Sequence, residues 1–478
     1  MLFNSIEFFV FLPIVFLLYW FVFKPIKWQN LLVVIASYVF YGWWDWRFLL
    51  LIALTSFCSY GSGILIEQYE GKRNKQMAIS AANIVLNLSI LGTFKYYNFF
   101  TENLQALLGG IFTLDWPTLH IILPVGISFY TFQALSYTID VYQHKLKATH
   151  DIVEFFAFIS FFPQLVAGPI ERATNLLPQF QKKRDFDYAK AVDGCRQMLW
   201  GFLKKVVVAD NCAAVVNMYW EQYSDSSGIQ LVVTAVLFTF QIYCDFSGYS
   251  DIAIGCARLF GINLLRNFNY PYFSRNISEF WRRWHISLMT WLRDYIYFPL
   301  GGSRCSLPKV IRNTVIVFFV SGLWHGANWT FVVWGLYHAC LIALFMLLHL
   351  NVKYSADVAN GRFFPSLKET VQMVVNFVLV VIGWIIFRAE NISQACDFIY
   401  RMFSNMNHWG FIDGKKALMM GIILLLIEWL QRDKQHALQL SHRRFFRYRL
   451  VRWGLYYLIL VTIVYFVGDN QTFIYFQF

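Results

Sequence analysis

Apolar runs separated by short basic clusters organise this chain. The first run, residues 6–23, is followed by Lys24 and Lys27. A run of this length crosses a bilayer core as a helix, and the bias of lysine and arginine toward the cytoplasmic side puts the amino terminus outside. It lacks a basic leader and a small-residue cleavage site, so it reads as a retained span. Residues 29–44 and 48–66 form two further runs around the aromatic turn WWDWR. After the GKRNK loop, residues 77–100 predict another span, with Lys95 snorkelling near its end. Residues 104–114 are too short to cross and are expected to be interfacial or re-entrant.

The middle of the chain is less regular. PVGISFYTFQALSYTIDVY at 124–142 is dense in hydroxyl side chains, which either pack helix against helix or line a passage. FFPQLVAGPI, within residues 155–170, predicts a broken helix, tolerated at membrane depth only where protein or a water cavity satisfies the freed backbone. Lys182, Lys183 and Arg184 put the polar loop 179–190 on the cytoplasmic side. Residues 191–218 read as a helix with Lys204 and Lys205 at an interface, and residues 231–243 as a span running into CDFSGYSDIAIG at 244–255, which is expected to break the helix. FWRRWHISLMTWLRDYIYFPLGG at 280–302 is too charged to cross and reads as an amphipathic or re-entrant helix with Trp281, His285 and Met289 on one face. Residues 310–324, 336–349, 370–387, 417–430 and 454–467 predict further spans, residues 397–413 a peripheral segment, and HRRFFRYRLVRW at 442–453 an anchor on the anionic cytoplasmic leaflet. About twelve crossings fit these runs at the usual span length.

Composition agrees with that plan. Of 478 residues 58% are hydrophobic and 14% charged, against about 25% charged in soluble domains, so the class is an all-α polytopic membrane protein. The net charge of +12 could suggest nucleic acid, but the basic residues cluster between apolar runs, where topology explains them and no nucleic-acid partner is needed. Eight cysteines show no CxxC or Cys/His ligand spacing, so they read as small core residues and no metal is expected.

Candidate chemistry follows from polar groups placed where they are expensive. His325 ends an apolar run between Trp324 and Trp329, with Gly326 and Asn328 beside it. A neutral imidazole shielded from water can take a proton from a hydroxyl attacking a carbonyl. Asn328 or the second histidine, His285, could orient the ring or stabilise an oxyanion, while His338 reads as structural. Asp245, Ser247, Ser250 and Asp251 suggest a proton relay, a cation site or, more simply, partners for Arg282, Arg283 or Arg293. Arg282 and Arg283 could themselves grip a phosphate-bearing donor or face lipid headgroups.

The segments GISFYTFQALSYTIDVY, FFPQLVAGPI, QIYCDFSGYSDIAIG, FWRRWHISLMTWLRDYIYFPLGG and SGLWHGANWTFVVWG, in this order, resemble the membrane-bound O-acyltransferase family, most closely its alginate O-acetyltransferase and D-alanyl-transfer branch. The resemblance implies one integral-membrane domain over residues 1–478, core motifs in 120–345, and about 11–13 transmembrane helices with short re-entrant or interfacial ones around a central funnel. It also implies that His325 is the essential base and that His285 is the second family histidine; Trp324, Asn328, Arg282, Arg283, Asp245 and Ser247 are the residues expected, from their placement in the sequence, to line the donor or substrate site. The terminal FIYFQF at 473–478 reads as an interfacial aromatic belt, and it also resembles the end of the same acyl-transfer systems, where the tyrosine, here Tyr475, is proposed to carry the acyl group.

The expected activity is transfer of an acyl group, acetyl above all, from cytoplasmic acetyl-CoA across a bacterial cytoplasmic (inner) membrane for O-acetylation of an exopolysaccharide such as alginate, or of peptidoglycan. Acetyl-CoA is a substrate, and no cofactor is held permanently. GDNQ at 468–471 lacks the serine of secreted SGNH-type acyltransferases, so a separate exported SGNH-type partner is expected to finish the transfer. D-alanylation of teichoic acid, lipid or protein acylation, and a proton-coupled transporter built on His285, His325, Asp245 and Asp251 are the alternatives.

Overall fold

The computed structural model describes residues 1–108, 122–354, 356–405, 414–440, 444–468 and 471–474. Among the described residues six helices are long and apolar enough to cross a membrane: Arg47–Gln68, Arg73–Leu108, Gly228–Leu259, Leu307–His325, Trp329–Leu347 and Leu367–Arg388. Other apolar helices are shorter, such as Ile26–Gly42 at 17 residues and Lys415–Leu430 at 16. Leu and Val side chains that would be buried in a soluble protein stay exposed on helix faces, as with Val371, Val374, Val375 and Val378, and such faces suit lipid. The chain is a multi-pass membrane protein. Its residues group into two compact units, Met1–Gly194 with Ala253–Leu265, and Cys195–Ile252 with Arg266–Phe478.

In the first unit the hydroxyl-rich helix Ile127–Tyr142 is buried on nearly every side. Asn83 Nδ2 donates to Thr138 Oγ1 at 2.7 Å and Ser62 lies 3.4 Å from the same hydroxyl, so these polar groups hold helices together where lipid offers no hydrophobic drive. The FFPQLVAGPI break is present between Ile152–Ser160 and Phe162–Leu165. Protein satisfies the freed backbone: Phe162 N donates to Ser37 Oγ at 3.0 Å, and Gln164 Nε2 donates to the Phe158 carbonyl at 3.1 Å. Residues 104–108 continue the Arg73–Leu108 helix rather than forming a separate element, and the rest of 104–114 lies outside the described residues.

The second unit corrects two expectations. CDFSGYSDIAIG does not break its helix; Gly228–Leu259 runs through it for 32 residues. Lys204 and Lys205 are not interfacial but buried, in a π-helical stretch, Leu203–Ala209, that widens the turn and redirects the side chains. Gly201 and Gly248 make this possible. A Cβ on Gly201 would lie 2.6 Å from the Gly248 carbonyl oxygen and one on Gly248 2.8 Å from that of Gly201, so only two glycines let the backbones touch. That contact brings Lys204 Nζ within 2.5 Å of Asp251 and 2.9 Å of Ser247 Oγ, and Lys205 Nζ within 2.7 Å of Asp245 and 2.8 Å of Asp210. The carboxylates do find cations, but lysines rather than the expected arginines. Long amines on a touching helix reach them first.

Candidate active site

FWRRWHISL folds as two short helices, Ile277–Arg283 and Ile286–Leu292, with His285 at the joint in the left-handed region at φ 43° and ψ 52°. The face expected to carry Trp281, His285 and Met289 is therefore split. Such a conformation costs a non-glycine residue about 1–3 kcal/mol and persists where neighbours enforce it. Asn267 is that neighbour. Its backbone carbonyl accepts from Ile286 N at 2.9 Å, and its Oδ1 lies 3.0 Å from His285 Nδ1 and accepts the Ser287 hydroxyl at 2.9 Å. Its Nδ2 donates to Ser250 Oγ at 3.2 Å. With the amide nitrogen committed to Ser250, Oδ1 faces the imidazole, so Nδ1 carries the hydrogen and Nε2 is the basic atom. Burial pushes the His285 pKa well below its usual value, which keeps the ring neutral.

His325 is the last residue of Leu307–His325, and Gly326, Ala327 and Asn328 turn the chain into Trp329–Leu347. Gly322 and Gly335 let these two helices close: a Cβ on either would collide with a backbone carbonyl of the other helix, Phe331 or Phe318. Asn328 caps the second helix by accepting from Thr330 N at 3.0 Å and donates to the Glu390 carbonyl at 2.8 Å, so both ends of its amide hold the turn.

Trp324 joins the histidines. Its ring centroid lies 5.7 Å from that of His285 and 5.0 Å from that of His325, and the His325 ring also meets Trp334 at 5.0 Å and Phe387 at 5.3 Å. His338 belongs to the same aromatic cluster, 5.2 Å from Trp334 and 4.9 Å from Trp281. Of the three buried imidazoles His325 keeps the largest exposure, 5% against 1% for His285 and 0% for His338. Among the described residues neither His338 nitrogen nor the indole nitrogens of Trp281 and Trp334 has a hydrogen-bond partner. Buried polar atoms are rarely left so, and their concentration here marks an aromatic cluster with donors to offer.

The other predicted residues are distributed around this centre. Arg282 is exposed. Arg283 is buried, 3.0 Å from both Glu279 and Asp357 and 3.3 Å from the Asn269 carbonyl, and Arg293 pairs with Asp294 at 2.7 Å. Asp245 and Ser247 sit in the lysine network. Asp245 also holds the carboxyl-terminal tail, since its Oδ2 accepts from Ile474 N at 2.8 Å. Phe473 and Ile474 are buried, and the Phe473 ring lies 4.9 Å from Tyr249 and 6.5 Å from Phe246, whose own ring meets His285 edge-on at 4.7 Å. Phe473 is thus one aromatic ring, that of Phe246, from His285, and Tyr475 lies outside the described residues. Asn267 escapes a reading of the sequence because nothing in NFNYPYF distinguishes an orienting amide from a loop asparagine. Lys204 and Lys205 left a usable signal, two amines in an apolar run of a chain with two buried aspartates. Among the described residues no group of three or more His, Cys, Asp or Glu side chains is placed to hold a metal.

Comparison with known proteins agrees with this geometry. The profile of the membrane-bound O-acyltransferase family matches residues 146–387, a stretch that contains both helix breaks and both histidines. The chain is 40% identical to the probable alginate O-acetylase AlgI of Pseudomonas aeruginosa over 88% of its own length and 78% of the relative's. It is 32% identical to the peptidoglycan O-acetyltransferase of Helicobacter pylori over 92% and 91%. Similarity to the teichoic acid D-alanyltransferase of Bacillus subtilis, 30% identity, covers 57% of the chain and 71% of the relative. The protein is therefore an O-acyltransferase of the membrane-bound O-acyltransferase family.

Proposed function

We propose that this enzyme takes an acetyl group from cytoplasmic acetyl-CoA and passes it through a bacterial cytoplasmic membrane for O-acetylation of an extracytoplasmic polysaccharide, alginate-like exopolysaccharide or peptidoglycan. The observation that carries the reading is the pair of imidazoles on one indole, His285 and His325 on Trp324, in a buried aromatic cluster. His325 takes the proton from an attacking hydroxyl as its oxygen bonds to the thioester carbon. The tetrahedral intermediate then expels the thiolate, which recovers the proton from the imidazolium. In a site this dry the indole and imidazole donors around it stabilise developing charge more than they would in water. The name of the P. aeruginosa relative, alginate O-acetylase, supports acetyl as the group and a polysaccharide as the final acceptor. Family membership sets the transporter reading aside.

The anchored tail supports Tyr475 as the first acceptor. Asp245 and the Phe246–Tyr249 rings hold Phe473 and Ile474, and in this route an acetyl ester on the phenol that follows them in sequence is handed to a separate exported SGNH-type acyltransferase. Purified protein given radiolabelled acetyl-CoA should release CoA and retain label; His325→Ala should do neither. A Tyr475→Phe variant that acetylates the final acceptor at the normal rate removes the tyrosine from the route but leaves the histidine reading in place.

A further inference from the structure

The loop after the Ala173–Gln181 helix carries charge that the acyl-transfer reading does not use. In the first unit it walls a cavity of ≈ 250 Å³ whose charged lining is five cations, Lys182, Lys183, Arg184, Lys190 and Arg258, against two carboxylates, Asp185 and Asp187, with Trp20 and Phe186 as an aromatic side. This volume is below the roughly 300–1,000 Å³ of pockets that enclose a whole drug-sized ligand, so it suits a headgroup.

The charges do not cancel. Lys183 and Lys190 pair with Asp185 and Asp187 at 3.2 and 3.5 Å, but all four side chains are exposed, and such pairs hold their partners weakly. Arg258 pairs with Asp193 at 2.5 Å. Arg184 differs from all of these. It is 8% exposed and hydrogen-bonds to neutral amides only, Asn30 Oδ1 at 2.5 Å and Gln29 Oε1 at 3.5 Å, while its Nε and Nη1 have no hydrogen-bond partner. Its guanidinium lies 5.5 Å from the Tyr19 and Phe180 ring centroids. Among the described residues no carboxylate is within ion-pair distance of it, and Glu154 attracts it only from farther away. A buried cation without a counter-ion is costly, and an anion in the adjoining cavity removes that cost. The aromatic side is rigid: Trp20 Nε1 donates to the Leu259 carbonyl at 2.9 Å and its ring packs edge-on against Phe186 at 5.4 Å. Such a surface accepts a flat or sugar-like group next to the charge.

We propose that this cavity is a phosphate site, which takes a phosphomonoester or phosphodiester group with Arg184 and Lys182 as its principal cations. Two sources share that chemistry, a soluble phosphorylated nucleotide and the headgroup of an anionic phospholipid. Binding is the readout, so the result is independent of whether His325 is the base.

Full-length protein in phosphatidylcholine nanodiscs is titrated calorimetrically with adenosine 3′,5′-bisphosphate, with adenosine as the phosphate-free control; in a second arm, phosphatidylglycerol retention is measured by native mass spectrometry. One arm should show phosphate-dependent binding. Arg184→Gln should weaken it about tenfold, the loss of about 1.4 kcal/mol. Since Arg184 also ties the loop to Asn30, Lys182→Glu, an exposed change that leaves the fold intact, should weaken it severalfold on its own. Nucleotide binding identifies a soluble ligand, and selective retention of phosphatidylglycerol identifies a lipid. Equal affinity in wild type and Lys182→Glu, or no phosphate-dependent binding in either arm, overturns the proposal.

Discussion

Two polar clusters are buried in the same unit of this enzyme and are built on opposite principles. Around Lys204 and Lys205 every charge meets an opposite one: Asp251, Asp245 and Asp210 lie 2.5, 2.7 and 2.8 Å from lysine nitrogens, and Ser247 and Ile474 N complete the hydrogen bonds. Around His285 and His325 the titratable groups are imidazoles packed on indole and phenyl rings, and neighbouring donors on Trp281 and Trp334 have no hydrogen-bond partner among the described residues. The first arrangement is satisfied and therefore rigid. The second holds polar capacity in reserve, which is what a reaction needs. Both contain family-motif residues, so motif membership alone does not separate a reacting group from a fastener.

Substitutions on either side put this contrast at risk. The largest effect should come from the histidine cluster: His325→Ala should lower acyl transfer by about 10³-fold, within the 10²–10⁴ range of general acid–base catalysis, with thermal unfolding nearly unchanged. Asp251→Ala should do the reverse. Leaving the buried Lys204 amine without its carboxylate should cost about 3–5 kcal/mol of stability, read as a lowered unfolding temperature, while the protein that remains folded keeps its transfer rate. Asn267→Ala lies between the two. Losing the bond that fixes the His285 tautomer should reduce kcat about tenfold with little change in KM, equivalent to the ~1–3 kcal/mol of one unpartnered buried group; a purely structural role would instead lower the unfolding temperature at constant kcat. Arg282→Ala, at an exposed position, should shift stability by less than about 0.5 kcal/mol, and unchanged affinity for acetyl-CoA would assign this arginine to lipid headgroups.

The aspartate–lysine network also holds the carboxyl-terminal segment. Asp245 spends one oxygen on Lys205 and the other on Ile474 N. Asp245→Asn would keep a side-chain oxygen for the tail but weaken its hold on Lys205, so the tail and the network should loosen together.

Much of the architecture was legible along the chain, because apolar length and basic punctuation are local properties. The break in FFPQLVAGPI, the helical hairpin around WHGANW and the spans at 48–66 and 370–387 all follow from residues close in sequence. What could not be read was partner choice. Whether Asp251 meets an arginine 31 or 32 positions on or a lysine 47 positions back depends on the Gly201–Gly248 backbone contact, and helical periodicity does not encode such a contact. The left-handed residue at His285 is of the same kind. Its own segment favours a continuous helix, and Asn267, from another part of the chain, decides otherwise. Hydropathy and motif were enough to assign the class and the family. Which polar groups are neutralised and which stay available emerged from the folded arrangement alone, because burial and pairing are set by neighbours that the chain brings together only on folding.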